Sequence, residues 1–179
     1  RKFKNAVQND EGVSALEFAL IAPVLSLLYL GGVELSLLMQ ADRRITTATA
    51  TMGDIASRAT SISDTDMSEI FGSTTLLLGS RIDPTTARLR VSSLEANANG
   101  DVLVGWSSAQ NFSPRAIGSS VPELPNNVVP DGGSVIMAEL EYDYSSEVGY
   151  LDIADRTIRE SFYLRPRRVD VISRTTSED

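Results

Sequence analysis

The sequence predicts an α+β protein, one long N-terminal helix packed on an antiparallel β-sheet domain. Three observations carry that expectation. From Phe18 to Met39 the chain is almost wholly apolar. Beyond Met39, apolar and small residues step alternately by four and three as far as Ile62, the period of a helix face. After residue 87 the period changes to two, in short runs separated by turn residues, which is the pattern of half-buried antiparallel strands.

The first element begins behind a short polar stretch, residues 1–12, in which Arg1, Lys2 and Lys4 are the basic residues. The apolar run that follows is long enough for a helix to cross a hydrocarbon core of about 30 Å. Basic residues on the short flank favour an N-terminus on the cytoplasmic side and a body on the opposite side. A cleaved secretory signal would have a shorter apolar region, about 7–15 residues, and a small-x-small site beyond it. The apolar run here is longer and no clear Ala-x-Ala site stands at its end beyond Met39, so a retained membrane helix over 18–39 is the better reading. Two carboxylates interrupt the run, Glu17 at its start and Glu34 near its end, and a charge at that depth is costly enough to mark function. For Glu17 the plainer alternative is a carboxylate at headgroup depth, favoured by the dipole of the first helical turn. Pro23 removes one helical hydrogen bond and is tolerated where neighbouring helices satisfy the freed carbonyl. Ala15 and Ala19, Ala22 and Ser26, and Gly32 and Ser36 place small residues four apart, which permits close helix approach.

The string Asp10-Glu11-Gly12-Val13-Ser14-Ala15-Leu16-Glu17-Phe18-Ala19-Leu20, followed by Pro23, resembles a type IV prepilin signal, and more closely the N-termini of TadE/TadF-like pseudopilins of tight-adherence (Tad/Flp, type IVc) pili. Two later runs are similar to the closing segments of TadE-like proteins: Glu141-Tyr142-Asp143-Tyr144, and the last strand leading into Leu164-Arg165-Pro166-Arg167. The strand of Trp106 followed by a Pro-rich loop fits as well. The resemblance implies a pilin-like fold and cleavage by a membrane prepilin peptidase after Gly12, leaving Val13 as the new N-terminus. Many Flp pilins have Glu-Tyr where this chain has Glu17-Phe18; Phe18 keeps the apolar bulk without the hydroxyl. The resemblance also implies a minor pilin or pseudopilin acting in pilus initiation or at the tip in surface adhesion. A short Flp-type major pilin is nearly all helix, whereas this chain carries a large body. The implied partners are other minor pilins, the major Flp-type pilin, the prepilin peptidase, the inner-membrane assembly platform and membrane lipid. The implied location is the bacterial inner membrane, single-pass with the body periplasmic, and then the extracellular pilus. Once cut, the Val13 amine and the Glu17 carboxylate would be opposite charges about one turn apart. Between neighbouring helices such a pair would set axial register, because neither charge stays unpaired in apolar surroundings. Two rival classes stand beside this one: a single-pass membrane protein with a periplasmic binding domain that never polymerises, and a membrane-anchored hydrolase using carboxylates.

The helix is expected to continue to about residue 60. Glu34, Leu38, Ala41, Ile45, Ala48, Met52, Ile55, Ala59 and Ile62 form a thin seam, with Asp42, Arg43, Arg44, Asp54 and Arg58 off it. The seam either docks the helix on its own domain or joins it to sister subunits, and different lengths of it can do each. Glu34 opens the seam, where it would pair with a neighbour's Arg43 or Arg44 or reach the water interface.

The body is expected over 61–168. Ser61 to Asp66 is a polar break, and Asp66 with Glu69 resembles a capping box opening a helix to about Leu78, with Gly79 as its stop. Asp83-Pro84 is a turn. Ala87 to Leu94 alternates as a strand. Asn97 to Asp101, containing Asn-Gly, reads as a hairpin turn, and Val102 to Trp106 follows with Val102, Val104 and Trp106 on one face. Residues 109–133 hold four prolines and read as a long functional or mobile loop. Val135 to Tyr144 turns Ile136, Ala138, Leu140, Tyr142 and Tyr144 one way and Glu139, Glu141 and Asp143 the other. Thr157 to Arg167 is the last strand, and 169–179 a frayed tail.

Charge and composition narrow the chemistry. Net charge is −8, and both lysines, Lys2 and Lys4, lie before the apolar run. An acidic body argues against nucleic acid as a partner. There is no cysteine and no histidine. Disulfides, thiol nucleophiles and Ser-His-Asp machinery are therefore excluded, and only carboxylate chemistry remains. Glu139, Glu141 and Asp143 invite a glycosidase or calcium reading. The plainer reading is a cross-strand ladder with Arg159, Arg165 and Arg167. No enzyme activity, cofactor or metal is expected.

Overall fold

The computed structural model describes residues 10–80, 82–125, 127–145 and 156–175, with side chains from Val13 onward. The chain divides into two units. One comprises residues 1–39 with 145–155, the other residues 40–144 with 156–179.

The first unit is helical throughout its described N-terminal part. Helix α1 runs Asp10–Ser57 without interruption and contains Pro23. Its Ala- and Leu-rich sequence favours the helix. Ser36 returns its hydroxyl hydrogen to the Gly32 carbonyl at 2.9 Å, so this polar side chain is satisfied without leaving the helix.

The second unit is a four-stranded antiparallel sheet with helices on one face and a long loop on the other. The last turns of α1 bury Ala41, Ile45, Ala48, Thr49, Met52, Ala56 and Ser57. The seam thus docks the helix on its own domain from Ala41 to Met52, and then drifts: Ile55 is exposed and Ala56 takes the inward position. That drift follows from 3.6 residues per turn against a strict 3.5 repeat. Gly53 is the point of closest approach. A Cβ there would lie 2.5 Å from Leu164 Cδ1 and 3.1 Å from Ala138 Cβ. The Arg167 amide caps the helix by donating to the Ser57 carbonyl at 2.9 Å.

Helix α2 spans Asp64–Leu78. Its capping box lies one turn earlier than expected from Asp66 and Glu69. Ser63 is the N-cap, its hydroxyl accepts from the Asp66 amide, and the Asp66 carboxylate accepts from the Ser63 amide at 2.8 Å. Those bonds hold the Asp66 carboxyl below its usual range. Met67, Ile70, Phe71, Thr74 and Leu78 form the buried stripe. Gly79, at φ +73°, ends the helix in a conformation that a Cβ would strain. The Arg44 guanidinium sits beside it, donating to the Leu78 carbonyl at 3.1 Å.

The strands are β1 (Ser61–Ile62), β2 (Arg88–Ala96), β3 (Val102–Gln110), β4 (Ser134–Tyr144), β5 (Arg156–Leu164) and β6 (Ser173–Arg174). The sheet order is β3-β2-β4-β5, all antiparallel. Register pairs Leu89 with Leu140 and Val91 with Ala138, which puts these buried residues on the face that meets Gly53. The turn at Asn97–Asp101 forms as expected, closed by the Asn97 amide on the Asp101 carbonyl at 2.9 Å.

Two expectations are corrected. Val102, Val104 and Trp106 do not share a face. The register slips between Ser93 and Leu94, so that Trp106 opposes Ser93 while Val104 opposes Leu94, with Gly105 as the extra residue of a bulge. Val104 therefore joins the far-side cluster of Leu94, Val121 and Met137, while Trp106 donates its indole N–H to the Ile172 carbonyl at 2.7 Å. The second correction concerns the C-terminal tail. As far as Thr175 it is tied down, because β6 pairs in parallel with β1, Ile172 is wholly buried, and Ser134 holds the Asp170 carbonyl at 2.6 Å.

The Pro-rich loop after β3 is packed on the far face of the sheet. Val121, Leu124 and Val129 cover Leu94, Val104 and Met137. The Gly118 amide reaches the Val104 carbonyl at 2.8 Å.

Candidate functional site

Two features hold the unusual chemistry of this chain, a ladder of charges on the sheet and the apolar helix ahead of it. The ladder follows from strand alternation. Glu139, Glu141 and Asp143 project from β4 on the face opposite the core helix, and register places Arg90 beside Glu139 and Arg88 beside Glu141 on β2. Arg90 grips Glu139 with two bonds of 2.6 Å, and Arg115 from the loop adds bonds of 2.8 and 3.2 Å. Glu139 is only 7% exposed. Burial pushes its carboxyl up, but the two guanidiniums outweigh burial and hold it below the usual range. Arg90 also lies 4.1 Å above the Phe112 ring and donates to the Ser113 carbonyl at 3.2 Å, which fixes the loop to the sheet. Arg88 bridges Asp143 at 2.7 Å and Glu141 at 3.3 Å, and Arg159 of β5 reaches Glu141 at 3.2 Å. Arg88 and the Thr157 hydroxyl hold the Asp143 carboxyl at about 2.

The ladder thus forms, with different arginines from those expected. Of the three named from sequence, Arg159 is in it. Arg167 pairs instead with Asp54 of α1, because β5 ends at Leu164 and the chain then turns to the helix end. Arg165 is exposed beyond the strand. Arg88, Arg90 and Arg115 supply the missing charge. The alternation of Arg88 and Arg90 is visible in the sequence, but which strand lies beside β4 is not, and Arg115 comes from a loop without a periodic signal. With every carboxylate of the row gripped by guanidinium, the arrangement locks strands and loop together. Among the described residues no group of carboxylates converges as a metal site.

The second feature is the helix itself. Gly12 lies in the first turns of α1. Val13, Ala15, Glu17, Phe18, Ala19 and Pro23 are exposed, with Phe18 at 69%, and Ala22 is half-buried. Glu34 differs from these residues in being buried. The most apolar 18-residue window of this helix has a mean hydropathy of 2.0 and no buried share, and the helix is long enough to cross a membrane.

A helix long and apolar enough to cross a membrane, continuing into a segment docked on an antiparallel sheet, is the architecture of an α+β protein and is consistent with membrane anchoring. Residues 12–52 match the family model described as TadE-like protein. The matched segment begins at Gly12, includes Glu17, Pro23 and Glu34, and ends at Met52 inside the docked part of α1. No curated protein matches the chain, and no solved structure does.

Proposed function

We propose that this chain is a minor pilin or pseudopilin of a Tad-type pilus, working by assembly rather than catalysis. The observation that carries the reading is the coincidence of the TadE-like segment with a helix long and apolar enough to cross a membrane. In the membrane lipid covers that helix; in a pilus, sister helices would.

The stages follow from the residues. A prepilin peptidase cuts after Gly12 and releases the Val13 amine. Glu17, one turn on, pairs with the amine of a neighbouring helix as subunits leave the bilayer, since both charges would otherwise lose solvation without compensation. Phe18 and the leucines beyond it then bury against other helices. Ala15, Ala19 and Ala22 permit close approach, and Pro23 leaves the Ala19 carbonyl open to a neighbour's donor. The partners are the other minor pilins, the major pilin and the inner-membrane assembly platform. The body, locked by its charge ladder, is carried as a rigid head at initiation or at the tip.

The test is mass spectrometry of the chain co-expressed with a prepilin peptidase. The expected N-terminus is Val13, and Gly12→Ala should abolish the cut. An intact N-terminal segment in the presence of active peptidase would overturn the reading and leave a single-pass membrane protein that does not polymerise.

A further inference from the structure

Within the second unit, an open groove of about 380 Å³ runs between the end of α1 and the start of α2. Ile62 and Ile70 supply its buried floor, and Ile55, 39% exposed, stands on the α1 wall. The polar side chains at its edge are already bonded within the chain. Ser73 returns its hydroxyl hydrogen to the Ile70 carbonyl at 2.9 Å, and the Asp66 carboxylate is closed on Ser63. Covering the groove therefore costs little in lost hydrogen bonds.

The two flanks of the groove carry opposite charge. On the α2 flank Asp66 and Glu69 are both exposed, and Glu69 has no partner among the described residues. On the α1 flank Arg58, three residues after Ile55, is 60% exposed. Arg58 and Arg167 share the one carboxylate of Asp54, and Arg168 is exposed beside them, without a partner among the described residues. These guanidiniums are not needed to cap α1. Its last carbonyls are met by backbone amides, Ile55 by Arg58, Ala56 by Ala59 and Ser57 by Arg167. The α1 flank is thus left with an excess of positive charge, and the α2 flank with an excess of negative charge.

An apolar groove between flanks of opposite sign is complementary to its own image. A twofold axis along the groove sets the α1 flank of each copy against the α2 flank of the other, which is an isologous contact. An axis across the groove would set like flanks together, and their charges would repel. We propose that two copies of this chain pair side by side through this groove. Arg58 and Arg168 of one copy meet Glu69 and Asp66 of the other, and Ile55 of each is covered. The pairing uses only the second unit, so it does not depend on a cut after Gly12 or on a pilus.

The chain has no cysteine, so one substitution gives one reactive site. Full-length Ile55→Cys and, as a control on the loop of the far face, Ile117→Cys are reconstituted in lipid vesicles and treated with a short bis-maleimide. Trp106 emission confirms a native body in every variant. Ile55→Cys should give several-fold more cross-linked dimer than Ile117→Cys, and added salt should lower the yield. Placed in the Ile55→Cys chain, Glu69→Arg or Arg58→Glu alone should reduce the dimer several-fold, and the two together should restore it, because the flanks are then exchanged. A yield at 55 no greater than at 117 would overturn the proposal. A yield at 55 that ignores both reversals, or that the double exchange fails to restore, would overturn it as well.

Discussion

Removing the Glu139 carboxylate should be the most damaging single change on the sheet. In Glu139→Ala two guanidiniums lose their shared counter-charge while their side chains stay mostly covered, Arg90 at 12% and Arg115 at 15% exposure. Breaking one side of a buried pair costs about 3–5 kcal/mol, because the partner is left uncompensated. Arg90 retains the Phe112 ring and the Ser113 carbonyl, and Arg115 has Glu123 at 3.8 Å. The low end, about 3 kcal/mol, is therefore expected. For a body of this size that is a fall of about 10 °C in Tm. Replacing all three residues together, as Glu139→Met, Arg90→Met and Arg115→Leu, removes the stranded charges and should restore stability to within about 1–2 kcal/mol of the native chain. Urea unfolding of the full chain in detergent, followed by Trp106 emission, measures both. A loss below about 1 kcal/mol for Glu139→Ala would show that the group behaves as a solvated surface pair and would refute the account of the ladder as a buried lock.

Acid should weaken the same region. Glu139 and Asp143 both have lowered pKa values in the folded protein, so the stability they add is complete above the ordinary carboxylate range, near 4.5 and 3.8, and is lost as pH falls; for Asp143 the loss runs down to about 2. The share from Asp143 is small because its side chain is 60% exposed, so Glu139→Gln should flatten the acid limb of a Tm–pH curve far more than Asp143→Asn. Gly53→Val should destabilise by about 1–3 kcal/mol through overpacking against Leu164 and Ala138, with part of the loss recovered by Leu164→Ala in a double-mutant cycle. Ser63→Ala should cost about 1 kcal/mol by removing the N-cap of α2, read in the same unfolding assay.

The parts of this fold that are legible in the sequence are those set by local period. Apolar length marks the N-terminal helix, alternation marks β4 with its faces assigned correctly and most of β5, and Asn97 to Asp101 marks the hairpin. What escapes is set by a single residue or by distant partners. Gly105 flips the face of Val104 because one extra residue inverts a period of two. Ser63 outcompetes Asp66 as the cap because a short hydroxyl reaches the N3 amide, while Asp66 is then free to close the box from inside. The partners of Glu139 lie 49 and 24 residues away, and only the sheet order brings them to it. The long loop is ordered through Val121 and Leu124, isolated apolar residues among prolines and polar residues that carry no periodic signal. For the N-terminal site the sequence places Glu17 and Phe18 at the start of the apolar helix and Glu34 at the head of the seam, and of the two carboxylates Glu34 is the buried one.

The pairing of β1 with β6 also sets an order of events. The Ile62 carbonyl accepts from the Arg174 guanidinium, 112 residues later, and the Thr175 amide donates to the same carbonyl. The joint between α1 and α2 is thus held by residues more than a hundred positions further along the chain. Helix α1 and the hairpin of β2 and β3 involve neighbouring residues and can form as the chain emerges, but the joint stays open until Ser173 has been made. Completion of the head is thereby tied to synthesis of Ser173 and Arg174, and a chain that stops short of Ile172 lacks the carbonyl that accepts from the Trp106 indole.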